Sequence, residues 1–171
     1  MLLIRFMQNT DIPAVVKLQD RCYSADLFEP ADLVKRRFQA FPHSCWVACF
    51  DDKLWGYLFS YPSLLGKVNP LAADFTAPAY ADCLYIHDVA VSGDARGQGV
   101  ATLLLAAAER YAKQQRLSQI GLVAVQNSAS YWQSKGFALM SELGAEAQQH
   151  LASYTGQHAV YLTKTLDSIS D

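Results

Sequence analysis

His87-Asp88-Val89-Ala90-Val91-Ser92-Gly93-Asp94-Ala95-Arg96-Gly97-Gln98-Gly99-Val100-Ala101 runs from a β-prone segment through a glycine-rich turn straight into an amphipathic helix. Gly97 and Gly99 let the backbone approach a ligand closely, and the first N–H groups of a helix have no partner within it. Those donors and the helix dipole suit a phosphate or pyrophosphate, and Arg96 adds a fixed positive charge at the rim. A tight strand-to-helix turn with a solvated arginine satisfies the same spacing. A nucleoside-triphosphate loop fits poorly, because no lysine follows Gly99. A dinucleotide fold fits poorly: its glycine turn follows the first strand, with an acidic residue about 20 positions on. Here four predicted strands precede the turn, and Leu117 to Gly121 holds no carboxylate.

On either side of this stretch the chain alternates strand and helix patterns. Leu2, Ile4 and Phe6 alternate as in a strand, and Thr10-Asp11-Ile12-Pro13 caps a helix carrying Ile12, Val15, Val16 and Cys22 on one face. Glu29-Pro30 starts a second helix with Leu33, Val34, Phe38 and Phe41 apolar, ended by Pro42. Cys45 to Phe50 and Leu54 to Tyr61 read as a hairpin over Asp51-Asp52-Lys53. Pro62 to Asp82 has no clear period, and a loop this long inside a domain usually serves function. Cys83 to Val91 is a strand. The helix after the turn places Val100, Leu103, Leu104, Ala107, Ala108 and Tyr111 on one stripe, with Glu109 paired to Lys113 outside. Ile120 to Val125 is a strand, Ser128 to Lys135 a short helix stopped by Gly136, Phe137 to Ser141 a strand and Ala159 to Thr163 the last strand. This is an α/β chain with one mixed sheet flanked by helices, a single domain over 1–171.

Composition narrows the function classes. Of 171 residues 51% are hydrophobic and 12% aromatic, enough for a substantial core. The net charge of -2 leaves no basic surplus for a nucleic-acid backbone, so no nucleic-acid partner is expected. No apolar run approaches a membrane span, and the N-terminus has no secretory pattern, so the expected location is cytoplasmic. Cys22, Cys45, Cys49 and Cys83 form no C-x-x-C pair and the four histidines lack ligand spacing, so no metal is expected. Cys45 and Cys49 share one side of their strand as reduced thiols.

Arg96-x-x-Gly99-x-Ala101 after Val89-Ala90-Val91 resembles the acetyl-coenzyme A motif of the GCN5-related N-acetyltransferases (GNAT). Asn127-Ser128-Ala129-Ser130-Tyr131-Trp132-Gln133-Ser134-Lys135-Gly136-Phe137 is similar to a second motif of that family, an aromatic pair ending in Gly-Phe. Within the family, Tyr85 to Val91 and Ala129 to Phe137 look most like the arylalkylamine (serotonin-type) branch. The resemblance implies the GNAT fold with a V-shaped coenzyme cleft, acetyl-coenzyme A as co-substrate and direct transfer of acetyl to an amine. It implies that Gly97, Gln98, Gly99, Val100 and Ala101 hold the pyrophosphate beside Arg96. It places the pantetheine arm along Val89, Ala90 and Val91, and Asn127 and Trp132 near the coenzyme.

Acetylating an amine requires a neutral nucleophile, so a proton must be accepted, and the departing thiolate benefits from a donor. By alternation Tyr85, His87, Val89 and Val91 share one strand face, with Ile86, Asp88 and Ala90 on the other. His87 is the candidate base. It matches a histidine of the arylalkylamine branch, and Tyr85 sits where that branch has a second. Trp132 stands where the family commonly has tyrosine, and an indole does not release its proton near neutrality. Tyr131 or Tyr85 is then the candidate donor. Asp88 reads as structural, and Cys83 as a remote nucleophile candidate on the His87 face. For the acceptor, Tyr23, Phe28, Phe75 and Tyr80 offer apolar surface, and Asp26, Glu29 and Asp74 offer charge for an ammonium. The expected acceptor is a small amine, an arylalkylamine or similar, with the protein a monomer or homodimer. Two alternatives stand beside this: a coenzyme-binding regulatory module without turnover, and a protein or peptide N-acetyltransferase.

Overall fold

The computed structural model describes residues 1–167; the last four positions of the expected 1–171 domain lie outside the described residues. The strands are β1 (Leu2–Phe6), β2 (Cys45–Phe50), β3 (Lys53–Ser63), β4 (Cys83–Val91), β5 (Gln119–Ala124), β6 (Ala138–Leu139) and β7 (Val160–Thr165). They form one sheet in the order β1-β2-β3-β4-β5-β7-β6. Every pairing is antiparallel except β4 with β5. The helices are α1 (Ile12–Cys22), α2 (Ala31–Ala40), α3 (Val100–Gln114), α4 (Ala129–Ser134) and α5 (Ala145–Ala152).

Two apolar clusters fill the two faces of the sheet. Ile12, Val15 and Leu18 of α1, with Val34 and Phe38 of α2, pack on Val47, Tyr57, Phe59 and Tyr85. Val100, Leu104 and Ala108 of α3 pack on Trp46, Leu58, Leu84 and Ile86. Gly56 lets α3 lie close, since a Cβ there would meet the Ala90 carbonyl oxygen at 2.9 Å and Val100 at 3.1 Å. The result is a mixed sheet in one domain, flanked by helices, as expected.

Several expectations need correction. The inward stripe of α3 takes Leu105 and Ala112, while Leu103 is exposed. The buried stripe runs through Val100, Leu104, Ala108 and Ala112, leaving Leu103 on its flank. Glu109 pairs with Lys164 of β7, not with Lys113. The strand expected at Phe137 to Ser141 shrinks to Ala138–Leu139, because Phe137 turns inward against Trp132. Helix α5 was absent from the sequence reading; only Ala147 of it is buried, so it carries almost no apolar periodicity.

Two irregularities make the site. The pairing of β4 with β5 stops at Ile86↔Leu122, whereas β4 continues against β3 to Val91. Beyond Ile86 the strands part as a V, and the free carbonyls of Val89 and Val91 accept from the Tyr23 hydroxyl at 3.0 Å and the Cys22 thiol at 3.6 Å. The second irregularity is a bulge: Phe59 faces Asp88 and Ser60 faces Ile86, leaving His87 as the extra residue. An inserted residue shifts the alternation by one. Val89 and Val91 therefore pack with α3, not beside His87, and Asp88 joins His87 and Tyr85 on the α1/α2 side.

Candidate active site

The opened V contains a cleft of about 310 Å³. Val89, Ala90, Val91, Arg96 and Ala101 line one end, with Trp132 and Tyr131 from α4 across from them. The turn before α3 holds Gly97 at φ 76° and Gly99 at φ 73°, the left-handed region that favours glycine. Nothing lies within 4 Å of where a Cβ would stand on either. The backbone N–H groups of Gly97, Gly99, Val100 and Ala101 meet no carbonyl partner among the described residues. Gln98 closes the turn, its N–H donating to Ala95 O at 3.3 Å. Arg96 is exposed and enters no ion pair among the described residues. A 15-residue helix thus presents bare donors beside a free guanidinium, a receptor for a phosphate-type anion.

At the other end, His87 and Asp88 line the cleft with Glu29, Gln19, Leu27, Leu71 and Tyr154. Glu29 comes from the segment before α2, Arg37 from one turn short of the end of α2, and His87 from the β4 bulge. All three side chains are nearly inaccessible. Glu29 binds Arg37 through Oε2 and faces His87 Nε2 through Oε1 at 2.9 Å. Burial pushes the Glu29 carboxyl up, but His87 and Arg37 outweigh it and hold it at about 2. Arg37 also stands 3.0 Å from His87 Nε2 and donates twice to Ala73 O, at 2.9 and 2.6 Å.

Carboxylates only accept and guanidinium groups only donate, so Glu29 and Arg37 make opposite demands on His87 Nε2. One of them is met at a time. With the proton on Nε2 facing Glu29, Nδ1 is a bare acceptor, and it is buried with no protein partner.

Asp88 has a different environment. Its Oδ2 accepts from the Tyr57 hydroxyl at 2.6 Å, and its Oδ1 is buried with no partner. Burial raises the Asp88 carboxyl, against the opposing pull of His87, Tyr23 and Tyr57.

The other predicted residues fall as follows. Tyr85 is 1% exposed and sits in the core against Tyr61, outside the cleft. Tyr131 lines the cleft, 40% exposed, with Lys135 Nζ 5.6 Å over its ring; burial raises its phenol. Asn127 is exposed at a left-handed turn, and its neighbours Gln126 and Ser128 line the cleft instead. Tyr23 lines the cleft, whereas Phe28 is 60% exposed and borders a smaller hollow behind α1. Phe75 is core, stacked on Tyr61, and holds the loop between β3 and β4 against Arg37 and His87. Tyr80 points to solvent and Asp74 pairs with Arg36 on the surface. Asp26 does not line the cleft. Cys83 does not line it either, and burial pushes its thiol to about 12, which leaves no thiolate for covalent chemistry.

Sequence reasoning missed Arg37 and Tyr154 and put Asp88 on the strand face away from His87, whereas the structure brings it to the cleft. Arg37 lies at an ordinary helix position, and nothing local signals its burial. Tyr154 arrives from the β6–β7 connection, lining the cleft while its hydroxyl donates to Asn69 O at 2.8 Å. Among the described residues no cluster of three His, Cys, Asp or Glu stands ready for a metal ion, and no helix is long and apolar enough to cross a membrane.

Known proteins share this architecture. Ard1 from Thermoplasma volcanium superposes with a TM-score of 0.72 at 14% identity, covering 98% of this chain and 99% of that one. A GphF GNAT-like decarboxylase in complex with isobutyryl-CoA gives 0.76 at 15% identity, over 96% and 100%. N-acetylglutamate synthase from Neisseria gonorrhoeae, complexed with coenzyme A and N-acetyl-glutamate, gives 0.69 at 20% identity, over 98% of this chain and 35% of that one. At these identities the likeness concerns the fold. No curated protein matches by sequence. Residues 12–137, most of the chain and all of the glycine turn, match the acetyltransferase (GNAT) family, and the protein is a member of it.

Proposed function

We propose that the protein is an acetyl-coenzyme A-dependent N-acetyltransferase that passes acetyl directly to the amine of a small molecule. The observation that carries this is the two-ended cleft where β4 leaves β5. One end is an anion receptor, and the other places an imidazole beside a buried carboxylate. The residues fit the coenzyme. The free N–H groups of Gly97, Gly99, Val100 and Ala101 and the Arg96 guanidinium suit its pyrophosphate, and the Val89 to Val91 edge, which no strand pairs on the β5 side, suits its amide arm. When bound, the coenzyme supplies an acetyl group activated as a thioester.

His87 acts as the base in this reading. Glu29 holds the proton of Nε2, and Nδ1 takes one from the acceptor ammonium, directly or through a water. The freed amine nitrogen attacks the acetyl carbonyl carbon; the C–N bond forms, the C–S bond breaks and its electron pair leaves on sulfur, and the nitrogen releases its remaining surplus proton to solvent as the amide forms. Tyr131, whose raised phenol keeps its proton, donates toward that sulfur. Trp132 packs on Phe137 as a wall rather than as an acid. Tyr85, enclosed in the core, takes no part.

Small acceptors are favoured because three separate segments wall the far end. Leu27 comes from the α1–α2 connection, Leu71 from the β3–β4 loop and Tyr154 from the β6–β7 connection. That loop is tied down by bonds from Leu71 N to Ser153 Oγ at 3.0 Å and from Gly66 N to Tyr161 Oη at 3.1 Å. Calorimetric titration with acetyl-coenzyme A, followed by thiol release over a panel of amines, tests the reading. Binding that Arg96→Ala weakens about tenfold is expected, since hydrogen bonds to charged groups are worth roughly that much. Turnover that His87→Ala lowers at least about 100-fold is expected. Absence of binding overturns the reading.

A further inference from the structure

The bulge at His87 turns a second acid toward the acceptor end of the cleft, and nothing in the protein completes its bonding. Asp88 is 8% exposed and lines the cleft. Tyr57 supplies one donor to Oδ2 at 2.6 Å, and Oδ1 has none. Buried polar atoms are rarely left unpaired, and a buried carboxylate oxygen is costly to leave so unless a ligand supplies the donor. The neighbouring charges add a second argument. Arg37 is occupied by Glu29 and Ala73 O. Lys135 donates to Thr102 Oγ1 at 2.8 Å on the α3 side, and Arg96 stands at the glycine turn. At the acceptor end, therefore, Arg37 only balances Glu29, and no described cation remains for a carboxylate on the acceptor.

We propose that Asp88 is the residue that holds the acceptor's ammonium, and that acceptors are primary amines with an uncharged, largely apolar body and no carboxylate. This rests on the acetyl-transfer reading above. Adjacent residues on a regular strand point to opposite faces; the bulge turns Asp88 and His87 the same way. An ammonium held by Asp88 Oδ1 is delivered to the residue that deprotonates it. Leu27, Leu71 and Tyr154 then enclose the rest of the molecule. A carboxylate on the carbon next to the amine would lie against Asp88 and Glu29 with nothing to neutralise it.

The test compares 2-phenylethylamine with phenylalanine as acceptors, at saturating acetyl-coenzyme A, for the wild-type protein and Asp88→Asn. The asparagine retains an oxygen for the Tyr57 bond and removes the charge. The amine is expected to be acetylated with a kcat/KM at least about tenfold above that of phenylalanine. Asp88→Asn is expected to raise the amine KM at least about tenfold while acetyl-coenzyme A binding is unchanged. A purely structural role for Asp88 would not separate KM from coenzyme binding in this way. Should Asp88→Asn fail to fold, the wild-type protein decides through competition: 2-phenylethanol, which has the same body without the charge, is expected not to compete with the amine. Phenylalanine used as well as the amine, an unchanged KM in Asp88→Asn, or competition by the alcohol as strong as by a non-reactive amine each overturns the assignment. Absence of coenzyme binding overturns the acetyl-transfer reading itself. Coenzyme binding without thiol release to any amine also overturns the acetyl-transfer reading, whereas thiol release only to amines that carry a carboxylate overturns the acceptor class alone.

Discussion

Glu29 and Asp88 are both buried carboxylates at the same end of one cleft, yet their surroundings differ in kind. Glu29 meets a guanidinium and an imidazole, and its charge is held down to about 2. Asp88 meets one tyrosine hydroxyl, that of Tyr57, and an unfilled position, and burial raises it. The fold sets a cation against the first carboxylate and none against the second. Groups of the first kind keep a site in shape, and groups of the second kind wait for a ligand at some cost to stability.

The largest effect that sharpens this contrast is removal of the cation. Arg37→Met leaves Glu29 buried without its guanidinium and frees Ala73 from its two bonds. A loss of about 3–5 kcal/mol is expected, because breaking a buried pair leaves an uncompensated charge. Chemical denaturation measures it, and a loss below about 1 kcal/mol would place Glu29 with ordinary surface acids.

Acid denaturation separates the two carboxylates by sign. Glu29 has a folded value near 2 and an unfolded value near the usual ~4.3. Its contribution is fully present above the unfolded value and is lost as pH falls from there through about 2. Asp88 runs the other way: its folded carboxyl is raised, so its penalty is absent in acid and grows as pH rises through that raised value. Glu29→Gln is expected to flatten the fall in stability below pH ~4.5, and Asp88→Asn to leave that fall in place. Stability measured against pH for both variants checks this.

The smallest of these effects is the most diagnostic. At pH 7 Asp88→Asn is expected to stabilise the free protein by about 1 kcal/mol while weakening amine use, since it removes an unpaired buried charge. A midpoint shift in urea, compared with the same measurement near pH 4 where the gain should shrink, tests it. A variant both less stable and unchanged in KM would make Asp88 a structural residue.

The same pair of residues explains how far the sequence could be read. Strand β4, the glycine turn and α3 are visible in their apolar spacing, because each element obeys a local period. The anion receptor was legible for the same reason: turn, cap and Arg96 lie within six residues. The acceptor end was not, because it is assembled from segments far apart in the chain. Glu29, Arg37 and His87 meet only through packing of α2 over the sheet, and no local pattern marks Arg37 as buried. The bulge defeats the alternation rule outright. It sends Val89 and Val91 to the α3 side and brings Asp88 beside His87, and only the β3 register reveals it. Tyr85 was placed correctly on its face, but the aromatic layer of Tyr61 and Tyr154 separates it from the cleft.

The measurement that bears most directly on the account is identification of product by mass spectrometry after incubation with acetyl-coenzyme A and 2-phenylethylamine. The account predicts N-acetylated amine and free coenzyme A in equal amounts, with His87→Ala suppressing both. Bound coenzyme with the amine unmodified, or thiol release accompanied only by acetate, would contradict it.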